Sequence, residues 1–415
     1  MGKWQSRIAV PTGALALGVW LALGVTALTV VAPNAVADKK EEKPTLSPDV
    51  IKKLKPAQDA LQKDDLDTGL ALAKEALALS TKPYDQQQSL TMIRFAYGKK
   101  KDFPNYAAIQ EQLNDNPLTT DDERNASWRT LAQIYAQQKD YDKAIKYATN
   151  WSAHGGGYEA DSLLWQVYLV QKDCEHGIVP LERAAASHDP TEIELRQENS
   201  CYYQLKQDAK REAVMEQLVA KYPKRDYYYD LRLIYEDEKM DPRAMFNVLR
   251  LIYDKGYMTR ESEFVKYADQ AIDFGAPNEA LAAMNKGKEL DAVKFIAASD
   301  HNSQLLAQAK QQAAEDKKGI AAEDKSAAAG KNGEADVKVG LGYLGLGDYQ
   351  KAVDAITRGL SADRVGRVRR VDEANMNLGI AYLKLGKTEE AKAAFTAAKA
   401  DPRMTKAANL WLETL

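Results

Sequence analysis

Residues 339–356 read VGLGYLGLGDYQKAVDAI, and the class of fold turns on how the glycines in this stretch are read. Gly340, Gly342 and Gly345 have the spacing of a dinucleotide-binding loop. Val337-Lys338-Val339 before them could end a strand, and a helix-prone run from Tyr349 to Leu360 follows. That reading requires all three glycines, for the turn, the approach of backbone to pyrophosphate and the packing of helix on strand. A second copy tests it. Residues 378–395, LGIAYLKLGKTEEAKAAF, align without a gap 39 positions later. Gly340 matches Gly379, Tyr343 matches Tyr382, Gly347 matches Gly386 and Ala352 matches Ala391, but Gly342 becomes Ala381 and Gly345 becomes Lys384. The copy keeps one glycine that permits close approach of two helices and one that ends a helix in a tight turn. The stretch is therefore helix–turn–helix, and no cofactor is expected.

The retained residues Leu378-Gly379, Tyr382, Ala391, Phe395 and Ala398 resemble the signature of the tetratricopeptide repeat, with Pro402 one place early for its closing proline. The resemblance implies an all-α fold, a TPR-type α-solenoid of stacked antiparallel helix hairpins. A single hairpin cannot bury its apolar face alone, so such repeats must stack. Asn125–Asn150 carries Trp128, Leu131, Tyr135 and Ala144, with Ala132 in the glycine position. Tyr235 and Ala244 keep the same interval. Weaker units place their small residue at Gly69, Gly177, Ala213 and Ala280, Tyr106 breaks the rule, and a degenerate unit falls near Ala313. The expected organisation is an N-terminal array over 47–303, a degenerate repeat with an Ala/Lys-rich hinge over 304–333, and a C-terminal pair over 334–415 whose last helix, Met404–Leu415, caps the open end.

Ahead of the array, Lys3 and Arg7 precede thirty uncharged residues, Ile8–Ala37, which end in Ala35-Val36-Ala37. A basic start, an apolar middle and an A-x-A exit are the parts of a secretory signal peptide, cleaved after Ala37. The run is also long enough to serve as an uncleaved inner-membrane anchor. Both readings put the rest of the chain outside the cytoplasm, in the periplasm or exported. Residues 38–46, charged and proline-containing, read as a flexible tether. The net charge of −3 comes with no strong basic patch, which argues against a nucleic-acid partner.

Catalytic chemistry finds no constellation. His154, His176, His188 and His301 stand apart from one another at no metal-ligand spacing, and G-x-S-x-G is absent. Carboxylates alternate with Lys and Arg as on solvated helix faces. The reading is a non-enzyme without metal or cofactor. Cys174 and Cys201, the only two cysteines, would lie on neighbouring elements of a stacked array. They form either a disulfide, as an even pair outside the cytoplasm often does, or two buried thiols.

Binding is the function left. The first helix of each repeat lines the inner surface of a solenoid, and by register the inward positions include Arg129, Gln133, Gln166, Tyr202, Tyr229 and Glu236. Tyr and Arg combine large contact area with a polar tip and are frequent anchors of protein interfaces. In the last two repeats the same positions are Leu341, Leu344, Met376, Ile380 and Leu383, an oily face to be covered by the terminal helix or filled by a partner's amphipathic helix. The chain is thus expected to scaffold a protein or peptide partner. With its leader and a first helix LSPDVIKKLKPAQDAL it is also similar to envelope tetratricopeptide proteins sometimes associated with TonB-type systems, which implies an envelope partner of that kind.

Overall fold

A computed structural model describes residues 44–295, 297 and 300–415. The signal-peptide segment and most of the tether lie outside these residues. The described residues form helices joined by turns and loops, with no strand among them. They fall into two compact units that meet in sequence between Thr191 and Glu192.

The first unit holds α1 (Pro48–Gln62), α2 (Leu66–Leu79), α3 (Pro83–Lys99), α4 (Phe103–Asn114), α5 (Asp121–Gln138), α6 (Tyr141–Trp151), a π-helical turn at Ser152–Gly156, α7 (Gly157–Val170) and α8 (Cys174–Ala186). Each helix packs against the next, so the unit is four stacked hairpins. Small residues let the helices touch: Ala57, Ala73, Ala96, Ala107, Ala132 and Ala144 are all completely buried.

One turn design closes most hairpins. The first helix ends in a residue with left-handed backbone, Asp64, Lys101, Lys139 or Lys172 in the first unit. The next N–H reaches back to the carbonyl five residues earlier, as Asp102 does to Tyr97 at 2.9 Å and Asp140 to Tyr135 at 3.0 Å. That is a Schellman closure, which satisfies the last carbonyls of the helix. The same aspartate then caps the second helix, its carboxylate accepting from the N–H of Thr68, Asn105, Lys143 or His176.

The second unit continues with α9 (Glu192–Leu205), α10 (Asp208–Lys221), α11 (Arg225–Asp237), α12 (Pro242–Asp254), α13 (Glu261–Asp273), α14 (Pro277–Glu289), α15 (His301–Ala329), α16 (Gly333–Leu346), α17 (Tyr349–Gly359), α18 (Val371–Lys384), α19 (Thr388–Lys399) and α20 (Thr405–Leu412). Gly340–Gly347 belongs to α16 and its cap, so the strand alternative at Val337–Val339 is excluded. Each glycine of the stretch has a packing task. A Cβ on Gly340 would stand 2.3 Å from Ile356 of α17, one on Gly342 2.8 Å from Ile320 of α15, and one on Gly345 3.2 Å from Asn278 of α14. Gly347 takes the left-handed cap at φ +79°.

Two features differ from the sequence reading. Residues 304–333 are no loose repeat with a flexible break: α15 runs unbroken over 29 residues, and the chain turns only at Gly330–Asn332. Ile320, buried against Gly342, anchors the part of the segment that looked unsupported. Arg364 adds hydrogen bonds to the carbonyls of Ala327 and Ala328 at 3.3 and 3.1 Å. The second difference is the fate of the C-terminal hairpins. α20 does pack on α19, with Trp411 stacked 5.6 Å from Phe395, but it also packs on α10 and α12, and α18 packs on α12. This unit therefore closes on itself. Leu341, Leu344, Met376 and Ile380 are buried inside it, α16 against α14 and α15 rather than under the terminal helix.

Candidate partner-binding surface

The turn design supplies a register for the first helix of each hairpin. Tyr135, Tyr168 and Tyr202 each stand five residues before a cap and offer their carbonyl to its N–H; Tyr235 does the same for Met240, one residue before the cap Asp241. Tyr135 stacks on Tyr147 and Tyr168 on His176, each in the second helix of its own hairpin, and Tyr235 is completely buried. Six residues before each stand Arg129, Ser162, Arg196 and Tyr229; two before stand Gln133 and Gln166; one after stand Tyr203 and Glu236.

This register corrects one residue of the expected set. Tyr202 occupies the packing position, is 4% exposed and cannot anchor a partner, whereas its neighbour Tyr203 is 54% exposed. The error is a slip of one residue in a Tyr-Tyr pair, and counting five residues back from the cap would have resolved it. The other five residues are exposed or half-buried.

In the first unit, Arg129 pairs with Glu159 of α7 at 2.9 Å and lies 5.6 Å over the Trp151 ring. Gln166 donates to the Ser162 hydroxyl at 2.9 Å, and Gln133 is half-buried on α5. Nearby, His154 is exposed and meets Trp128 edge-on at 4.8 Å.

In the second unit, the Tyr229 ring is approached by three guanidinium groups, from Arg225 at 5.7 Å, Arg232 at 5.0 Å and Arg260 at 4.6 Å. Each is within reach of the electron-rich ring face. Arg225 is held by Glu263 at 3.0 Å and by the carbonyl of Tyr257 at 2.9 Å. Arg232 pairs with Glu236, which also takes Lys266 at 2.7 Å, so Tyr229 and Glu236 belong to one network over α11 and α13. Beside it an open depression of about 460 Å³ is lined by Arg260, Glu261, Ser262, Val265 and Asn302. Burial holds the Asp230 carboxyl above the usual carboxylate range, against the opposing pull of Arg211 and Arg260. The arrangement is a half-buried aromatic ring edged with guanidinium donors, chemistry that suits carbonyl and carboxylate oxygens.

The remaining polar residues are placed as follows. His176 bonds Asp173 at 2.8 Å and His301 bonds Asp269 at 3.0 Å, both exposed. No group of three or more His, Cys, Asp or Glu among the described residues is arranged to hold a metal ion. Cys174 opens α8 of the first unit and Cys201 lies in α9 of the second, both buried.

The family model described as tetratricopeptide repeat matches residues 339–405, and a second model of the same description matches residues 127–149. Over these residues the chain carries tetratricopeptide repeats. No curated protein matches it. Among solved structures it is similar to a tetratricopeptide repeat protein from Parabacteroides merdae ATCC 43184, at 9% identity over 64% of this chain and 100% of that one, with a TM-score of 0.28. It is similar to Naa15/Naa10 bound to HypK-THB at 14% identity, covering 84% of this chain and 63% of that one, with a TM-score of 0.29. For the TPR domain of P58(IPK) the values are 12% identity, 87% and 98% coverage, and a TM-score of 0.23. Stacked repeats of this family form scaffolds for protein–protein interaction, the general role the fold gives this chain.

Proposed function

We propose that this tetratricopeptide protein binds a protein or peptide partner on the face of its first helices, without catalysis, on the periplasmic side of a bacterial envelope. The observation that carries the binding reading is the platform in which Tyr229 is approached by Arg225, Arg232 and Arg260. A half-buried aromatic ring edged with guanidinium groups contributes to an interface with little loss of side-chain entropy. The periplasmic reading rests on the signal-peptide pattern of residues 1–37. A second reading keeps that segment as a membrane anchor and makes the protein an adaptor of an envelope complex such as a TonB-type system; the thirty uncharged residues Ile8–Ala37 favour it.

Crosslinking capture from envelope fractions tests the binding face. Tyr229→Ala and Arg129→Ala should each reduce recovery of the partner at unchanged helicity, while a substitution at exposed Lys338 on α16 should not. Undiminished recovery in both variants would remove the first-helix face from consideration. The mass of the native protein's N-terminus separates the two localisation readings, because a start at Asp38 leaves no anchor.

A further inference from the structure

α12 is buried on every side: all nine residues from Ala244 to Ile252 are buried. Its stripes nevertheless differ in chemistry. Met245, Phe246, Val248, Leu249 and Ile252 are apolar, and Phe246 stacks on Tyr267 of α13 at 5.6 Å. The stripe turned toward the C-terminal hairpins is Arg243, Asn247, Arg250 and Asp254, one residue per turn and every one polar. It meets α18 in three rungs that follow the same order along both helices. Arg243 bonds Glu373 at 2.6 Å, Arg250 bonds Asn377 at 2.6 Å, and Asp254 pairs with Lys384. α20 adds Lys406, seated between Glu212 and Glu238 and over the Tyr235 ring, and Trp411, whose indole donates to the Asn247 carbonyl at 3.0 Å.

Each side of this seam also has partners of its own. Arg250 forms a two-armed pair with Glu279 of α14 at 2.8 and 2.6 Å, so parting the seam would leave its charge matched. Trp411 keeps its stacking partner Phe395 within the C-terminal hairpins. An outer stripe of Arg, Asn, Arg and Asp is what the second helix of a repeat presents to water when nothing covers it. Contacts between parts of one chain that are polar in this way resemble those of transient interfaces.

We infer that α18–α20 form a releasable closure: a polar seam docks them on the outer face of α12, and the seam parts while the hairpins on either side stay folded. Opening uncovers the α12 stripe and the inner face of α18, so the closure controls which surfaces a partner can reach. This goes beyond the proposed binding face, which lies on first helices such as α5 and α11, and its test uses no partner.

The test is hydrogen exchange with mass spectrometry on the full chain. Arg243→Glu sets like charges at the first rung, and Glu373→Arg in the same chain restores an opposite pair. The single variant should lose roughly tenfold or more protection in α18 and α20 while α11 and α13 keep theirs, and the double variant should recover it. Lys384→Glu, at the more exposed third rung, repeats the test should Arg243→Glu fail to fold, with Asp254→Lys as its compensating change. Loosening of α11 and α13 in step with α18 would show that the seam is part of one indivisible core and overturn the inference. Protection unchanged in the single variants, or not recovered by charge exchange, would overturn it too.

Discussion

A methyl group placed on Gly379 would stand 2.4 Å from Cε1 of Phe395, across the contact between α18 and α19. Phe395 is itself completely buried and stacked on Trp411, so the ring has nowhere to retreat. Gly379→Ala should therefore cost about 1–3 kcal/mol, the usual penalty of overfilling a packed contact. Gly386→Ala, with φ at +72° and open space around it, should cost about 1 kcal/mol through backbone strain alone. Urea denaturation of the two variants separates these mechanisms, because truncating Phe395 to Leu should relieve part of the first cost and none of the second.

The left-handed turn residues give the opposite prediction. Lys139 has φ +62° and Lys101 φ +57°, positions where the chain's C-terminal hairpins place Gly347 and Gly386. A side chain in this region is strained against its own backbone, and glycine is not. Lys139→Gly should raise stability by about 0.5–1 kcal/mol, a gain somewhat offset by the freer unfolded chain. Thermal unfolding of Lys139→Gly beside Lys139→Ala checks it, and a Lys139→Gly variant less stable than wild type would count against the strain.

Much of this architecture is legible in residue order. The paired signature at Gly340 and Gly379 reports hairpins because small residues must recur wherever two helices touch. The turn of many hairpins is equally local: a left-handed residue, then an aspartate cap, as in Lys101-Asp102, Lys139-Asp140 and Lys172-Asp173. The seam between α12 and α18 is not legible. Arg243 and Glu373 are 130 residues apart, and nothing near either one announces the other. α15 illustrates the same limit: its composition shows a helix, but its continuity depends on Ile320 finding Gly342. For the candidate surface, five of the six residues lie exposed or half-buried, and Tyr202 is buried, a slip that arises because adjacent tyrosines look alike until the cap is counted.

A carboxylate between two hairpins sets a pH dependence in the first unit. Glu111 of α4 accepts from Tyr147 of α6 at 2.7 Å and from Lys143 at 3.0 Å. Burial acts to raise its pKa, but these hydrogen bonds and the nearby ammonium outweigh it, and the net shift is downward. A lowered folded-state value means that the stabilisation is complete above the unfolded-state pKa of about 4.3 and is lost as the pH falls through the folded-state value. Glu111→Gln should thus lose about 1 kcal/mol at neutral pH and converge with wild type in acid. Melting temperatures from pH about 7 to about 3 follow the difference, and a gap that persists at the acid end would exclude the linkage.

The pair Arg250–Glu279 joins three elements of the second unit, since Tyr267 of α13 also donates to Glu279 at 2.6 Å. Arg250 is 4% exposed and its guanidinium lies 4.2 Å from the Phe246 ring. Burial, with the Glu279 charge beside it, pushes the Tyr267 phenol well above its ordinary range, so it stays a donor at all working pH values. Removing one partner of such a pair strands the other charge, at a cost of about 3–5 kcal/mol, whereas removing both strands neither. Arg250→Met should accordingly be far more damaging than its loss of contacts implies. Arg250→Met combined with Glu279→Met should be less damaging than Arg250→Met alone, leaving the Tyr267 hydroxyl and the amide oxygens of Asn247 and Asn377 without these partners. A double-mutant cycle in urea measures the coupling, and additive effects of the two substitutions would mean that the charges do not depend on each other.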